Sequence, residues 1–154
     1  MHKKIEDITP KNKFFSPRRR ARSFAMQAVY QWKLNPTSAQ ELIDTFLQQY
    51  NFNKCDIDYF KFLVINIIQK LPEIDASMQP FLDRAQNELT LVELAVLRMA
   101  VYELIFCKDI PFKVVINEAL EIAKRYGSEE GFRYINGILD KMRHTIRPGE
   151  DNLT

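Results

Sequence analysis

Apolar residues recur along the chain at three- and four-residue spacing, broken by short polar or proline-containing stretches, with no sustained alternation of period two. That spacing predicts amphipathic helices. Ser16 is a suitable N-cap and Pro17 suits a first helical position. From there Ala21, Phe24, Ala25, Ala28, Val29 and Trp32 form an apolar stripe that ends at Asn35-Pro36. Ser38 and Glu41 form a capping-box pair ahead of Leu42, Ile43, Phe46 and Leu47. Asp56 opens a strongly apolar segment (Ile57, Phe60, Leu63, Val64, Ile67, Ile68, Leu71) that stops at Pro72. A shorter helix is expected over 74–84, bent or interrupted by Pro80.

Thr90 and Glu93 make a second capping box before Leu91, Leu94, Ala95, Leu97, Val101, Tyr102, Leu104 and Ile105. This helix is apolar around much of its circumference, which predicts a central position. After the break at Lys108-Asp109-Ile110-Pro111, helical spacing resumes with Val114, Val115, Ala119, Ile122 and Ala123, and Gly127 sits where a C-terminal glycine cap belongs. Ser128 caps a last helix running to about residue 143. Six to seven helices with short connections and no internal repeat predict an all-α fold. Residues 1–15 lack periodicity and are expected to be a flexible basic arm, 16–147 the helical domain, and 148–154 a polar tail.

Composition adds limits. Hydrophobic residues at 46% and charged residues at 27% suit a soluble globular chain. Cys55 and Cys107 form neither a disulfide framework nor a zinc site and read as small buried hydrophobes. The first residues are polar, unlike a signal peptide, and the apolar run 62–68 is broken by Asn66, short of a membrane span. The expectation is a reduced, cytoplasmic protein with no membrane partner. His2 and His144 have no Cys or Asp neighbours at metal-ligand spacing, and there is no glycine-rich phosphate loop or nucleophile elbow. No catalytic residue, metal or cofactor is expected, and therefore no enzyme.

Charge is unevenly placed. Net charge is +2, yet residues 1–22 carry eight Lys or Arg against Glu6 and Asp7. A basic start on a mildly acidic body suits a polyanion, or it is simply a solubilising face. On the first helix, Arg19, Arg22, Met26, Tyr30 and Lys33 fall on one arc outside the apolar stripe, with Arg19 and Tyr30 separated by roughly 16 Å along the axis. Planar guanidinium groups and a tyrosine ring on one exposed face suit single-stranded RNA. Arginines at a helix N-terminus also oppose the macrodipole, a conflict that a bound phosphate would relieve. Tyr126, Arg133, Tyr134 and Lys141 flank the Gly127 turn as a second aromatic and basic surface, although Tyr134 could instead complete the apolar face with Ile135, Ile138 and Leu139.

Three blocks carry a family resemblance. They are PFKVVINEALEIAKRYG (111–127) with YINGILDK (134–141), the arginine-rich RRRAR (18–22) followed by AMQAVYQW (25–32), and ELTLVELAVLR (88–98) with YEL (102–104). In this order, over roughly 17–148, they resemble the bacterial NusB transcription antitermination family. The resemblance implies two small helical bundles packed together. It also implies binding to the boxA element of ribosomal RNA leader transcripts together with ribosomal protein NusE, in a complex with other Nus factors and RNA polymerase. Matched positions place RNA contacts at Arg18, Arg19, Arg20, Arg22, Gln27 and Tyr30, with Tyr126, Arg133 and Tyr134 as a further RNA surface and Glu93 and Glu130 toward the partner. The arm before Ser16 is longer than is typical of the family, and position 130 is Glu where relatives often carry Asp. Some relatives pair as homodimers. Related domains also precede the catalytic domain of rRNA cytosine methyltransferases, and a helical protein-interaction module is the remaining alternative.

Overall fold

Most helices begin at the polar caps that the sequence announces. In the computed structural model, which describes residues 16–150, Ser16 Oγ accepts the Arg19 N–H at 3.1 Å and opens α1 (Pro17–Leu34). Ser38 Oγ accepts the Glu41 N–H to open α2 (Ala39–Gln49), and Asp56 Oδ1 accepts the Tyr59 N–H at the start of α3 (Ile57–Gln69). Then follow α4 (Leu71–Met78), two single 3₁₀ turns (Gln79–Phe81 and Gln86–Glu88), α5 (Leu91–Phe106), α6 (Phe112–Tyr126) and α7 (Glu129–Ile146). Among the described residues there are seven α-helices and no strand. The expected arm with Phe14-Phe15 and His2, and the last residues of the tail, lie outside the described residues.

Three local expectations are corrected. Pro72 does not end the third helix; that helix ends at Gln69, and Pro72 sits in the first turn of α4, where its missing N–H costs nothing. The interruption expected at Pro80 is observed, since proline cannot continue the ladder of hydrogen bonds, but the helix stops at Met78, tightens into a 3₁₀ turn there and does not run on to 84. The reciprocal capping box forms at Thr90 and Glu93, whereas the cap at α2 runs from Ser38 alone.

The described residues divide into two compact units between Gln69 and Lys70. In the first, α1 packs on α3 and α2 around an aromatic core. Phe24 stacks on Phe52 with centroids 4.2 Å apart, and Phe60 meets Phe52 at 4.8 Å and Phe46 at 6.1 Å. In the second, α5 is packed by α4, α6 and α7, and every residue over 93–104 is buried, as its all-round apolar pattern predicts. Arg98, at the middle of α5, makes a bidentate pair with Asp75 on α4 at 2.8 and 3.1 Å.

The second unit closes through Arg147. Its guanidinium donates to the backbone carbonyls of Glu103, Leu104, Cys107 and Ile110 and to the Glu150 carboxylate. Glu150 in turn accepts the Phe112 N–H at 2.6 Å. A cation thus sits on the C-terminal carbonyls of α5, where the helix dipole favours it, and an acid ties the same cation to the start of α6.

Candidate nucleic-acid interface

The α1 arginines do not share one environment. Arg18 is the most accessible, its side chain 48% exposed, and Arg19 is partly exposed. Arg20, Arg22 and Gln27 are 3%, 2% and 3% exposed, and burial is continuous over 20–29. The exposed arc expected through Arg19, Arg22, Met26, Tyr30 and Lys33 is therefore corrected: Met26 and Arg22 lie inside, while Arg19 and Tyr30 are partly covered and Lys33 is exposed. The apolar stripe of a single helix reveals one buried face; it does not reveal whether the opposite face is covered too.

The first turn of α1 is knitted to the first turn of α3. The Asp56 N–H donates to the Pro17 carbonyl at 3.0 Å, and the Asp56 carboxylate lies 3.5 Å from Arg18 Nε. Asp56 thus caps α3 and offsets part of the positive charge that opposes the α1 dipole, an effect of some tenths of a kcal/mol per charge. Tyr59, one turn into α3, has the Arg18 guanidinium over its ring at 3.9 Å and that of Arg22 at 5.4 Å. Sequence reasoning missed Tyr59; the available signal was a tyrosine off the apolar stripe of α3, one turn after the acid that caps it. Nearby, burial and the Asp56 charge push the Cys55 thiol up to about 12, against a smaller opposing pull from Arg20. It is a protonated thiol at neutral pH, not a nucleophile.

The second surface lies at the α6–α7 turn. Gly127 is the C-cap of α6, and Ser128 Oγ accepts the Gly131 N–H at 2.9 Å to start α7. Tyr126 is partly buried, with the Arg125 guanidinium 5.8 Å from its ring centroid. Arg133 is exposed and pairs with Glu129 at 2.8 Å, and Glu130 and Lys141 are exposed. Tyr134 is half-buried beneath the guanidinium of Arg84, 4.3 Å from its ring. Its hydroxyl is enclosed, faces the Asp83 carboxylate, and makes no hydrogen bond of ordinary geometry; burial first, then that negative charge, raises its pKa. The Asp83 carboxyl is held below its usual range chiefly by its hydrogen bond from Arg84. Arg84 also escaped the sequence reading, because nothing in a helix-by-helix pattern brings a loop arginine onto an α7 ring.

Glu93 is 8% exposed and turned inward. Its Oε1 accepts the Thr90 N–H at 2.9 Å, completing the capping box, and its Oε2 lies against Gly131. Among the described residues no group of three or more His, Cys, Asp or Glu is placed to hold a metal ion, and no helix is long and apolar enough to cross a membrane.

Fold and surface together define a small all-helical protein of two units, with arginines at the start of one helix and an aromatic and basic turn between two others. The model of the NusB family matches residues 19–144. The transcription antitermination protein NusB of Actinobacillus succinogenes is 46% identical over 135 residues, which is 88% of this chain and 95% of that protein. That of Shewanella amazonensis is 45% identical over 127 residues, 82% and 95% of the two chains. Among solved structures, T. maritima NusB superposes with a TM-score of 0.71 at 36% identity, covering 82% of this chain and 90% of that one. A crystal structure of antitermination factors NusB and NusE in complex with dsRNA gives a TM-score of 0.73 at 27% identity, covering 82% and 96%. The chain belongs to the NusB family, and the NusB-like all-α fold expected from its sequence is the fold observed.

Proposed function

We propose that this chain is a transcription antitermination factor that binds the boxA element of nascent ribosomal RNA together with ribosomal protein NusE, and so supports transcription of rRNA operons. Family membership across residues 19–144 carries the reading. The relatives' name and the solved NusB–NusE complex with dsRNA support it. In this reading the protein catalyses nothing: it neutralises phosphate, orients bases, and joins NusE, other Nus factors and RNA polymerase in one assembly in the cytoplasm.

Arg18 and Arg19, at the accessible start of α1, contact phosphate directly, with Arg20, Arg22 and Gln27 supporting the helix from within. Arg22 does so in part through Tyr59, whose ring it shares with Arg18. Tyr30, Tyr126, Arg133 and Tyr134 contribute ring faces and a further cation. Glu130 offers an exposed carboxylate to the protein partner, while Glu93 acts by capping α5 and packing against the first turn of α7 rather than by direct contact.

The test is a titration of labelled single-stranded boxA RNA, with and without NusE, beside an RNA duplex and a scrambled strand, with light scattering to read homodimer formation. The expected result is preference for boxA, tighter with NusE, and a salt slope that becomes shallower by about 0.7 in Arg19→Ala, as for one single-strand phosphate contact. Absence of RNA affinity under both conditions overturns the reading and leaves a helical protein-interaction module.

A further inference from the structure

A hollow of about 360 Å³ opens beside the α6–α7 turn, lined by Lys124, Gly127, Ser128, Glu129, Phe132 and Arg133. It is of ligand size, and its lining is chemically mixed in an informative way. Phe132 is partly buried in the first turns of α7 and supplies an aromatic wall held in place by the helix. The bare backbone of Gly127 is packed so closely that a β-carbon there would stand 3.0 Å from the Ala123 carbonyl oxygen. Ser128 is fixed by its cap to Gly131. Lys124 and Arg133 bring two cations to the rim, and Glu129 brings one carboxylate.

The Arg133–Glu129 pair is the adjustable part. Both side chains are largely in solvent, at 75% and 81% exposure. An exposed ion pair of this kind contributes little and opens readily. When it opens, Arg133 gains a fork suited to phosphate, and Glu129 gains an acceptor suited to an amino group. An aromatic wall, two cations and one releasable carboxylate match the three parts of a nucleotide: ring face, phosphate and base edge. The RNA-binding reading supplies a nucleotide as the occupant, and the lining fits one.

We propose that this hollow receives one unstacked base of the bound RNA, stacked on Phe132, with its flanking phosphates met by Lys124 and Arg133 and its amino edge read by Glu129. The site rests on the RNA-binding reading above and adds to it a specificity. A carboxylate accepts from the exocyclic amino groups of adenine, cytosine or guanine; uracil has none. An amino-bearing base is preferred at the position that enters the hollow.

The test uses boxA RNAs made abasic at one position at a time, titrated against the intact protein, Phe132→Ala, Phe132→Tyr and Lys124→Gln. Phe132→Ala loses about five-fold or more in affinity with its salt slope unchanged, because stacking carries no charge. Phe132→Tyr retains affinity. One abasic position weakens the parent protein but costs Phe132→Ala nothing further, which identifies the base that sits there. Uracil at that position weakens the parent, and Glu129→Gln narrows the difference. Lys124→Gln, an exposed and structurally mild change, flattens the salt slope by about 0.7. If every abasic position costs Phe132→Ala as much as the parent, the base site is overturned while the antitermination reading stands. If Phe132→Ala weakens NusE binding but leaves RNA affinity intact, the hollow is a protein site and the proposal fails. If the parent binds no boxA RNA, the reading beneath it has failed first.

Discussion

A β-carbon at position 131 would stand 2.8 Å from Glu93 Oε2, so Gly131 is what allows the first turn of α7 to close over the carboxylate that caps α5. One side chain therefore caps α5 and packs against the first turn of α7. Alanine is intrinsically the better helix former by about 1 kcal/mol. Even so, Gly131→Ala is expected to destabilise the protein by about 1–2 kcal/mol, since Glu93 must leave its cap or α7 must shift. Gly137, in the same helix, has open space where its β-carbon would go. Gly137→Ala is expected to stabilise by up to about 1 kcal/mol. Urea midpoints of the two variants should move in opposite directions.

The Arg147 clasp makes a larger prediction. Arg147→Met leaves the carbonyls of Glu103, Leu104, Cys107 and Ile110 without this donor, and the expected loss is about 3 kcal/mol or more. Arg147→Lys should not restore it, because one ammonium cannot reproduce a planar fork that reaches four acceptors. Equilibrium denaturation of both variants checks this.

Arg98 and Asp75 test the cost of a buried charge. Asp75→Ala leaves the guanidinium of a 5%-exposed arginine unpaired and should cost about 3 kcal/mol. The double change Arg98→Met with Asp75→Leu should recover much of that loss, so the two single effects will not add. A double-mutant cycle in urea measures the difference.

Stability should also fall in alkali. The folded-state pKa of Cys55 is raised from 9.0 to about 12, and that of Tyr102 from 10.0 to about 12, in each case first by burial. A raised folded pKa favours the folded state fully below the unfolded value, and the contribution is lost as pH climbs from there toward the folded one. The thiol's contribution begins to fade near pH 9 and the phenol's near pH 10. Cys55→Ala should remove the earlier part of the decline, a difference of at most about 1 kcal/mol at pH 10 for this partly screened group. Denaturation midpoints at pH 8, 9.5 and 10.5 read it.

What sequence pattern could and could not convey follows from the range of the interactions. Ser16, Ser38, Thr90 and Ser128 announce helix starts because capping involves residues two or three apart. The central place of α5 is legible because its apolar residues leave no polar face. The burial of Arg20, Arg22 and Gln27 is not, since charge and polarity predict exposure unless a partner is known, and the partners of such residues need not lie within one helical turn. Tyr59 under Arg18 and Arg22, Arg84 over Tyr134, and the Phe132 hollow all depend on elements meeting in space. Aromatic and basic residues flanking the Gly127 turn marked the α6–α7 surface in the sequence, but the inward turn of Glu93 follows from packing against a glycine 38 positions away.

The Arg147 clasp also has an order in time. Its acceptors at the end of α5 precede it by about forty residues, so during translation they emerge from the ribosome well before their donor. Through that interval the last carbonyls of α5 lack this donor, and those of Glu103 and Cys107 have only the backbone N–H groups of Cys107 and Ile110 to accept from. The final turn of the unit's central helix is therefore secured by one of the last residues of that unit to be synthesised.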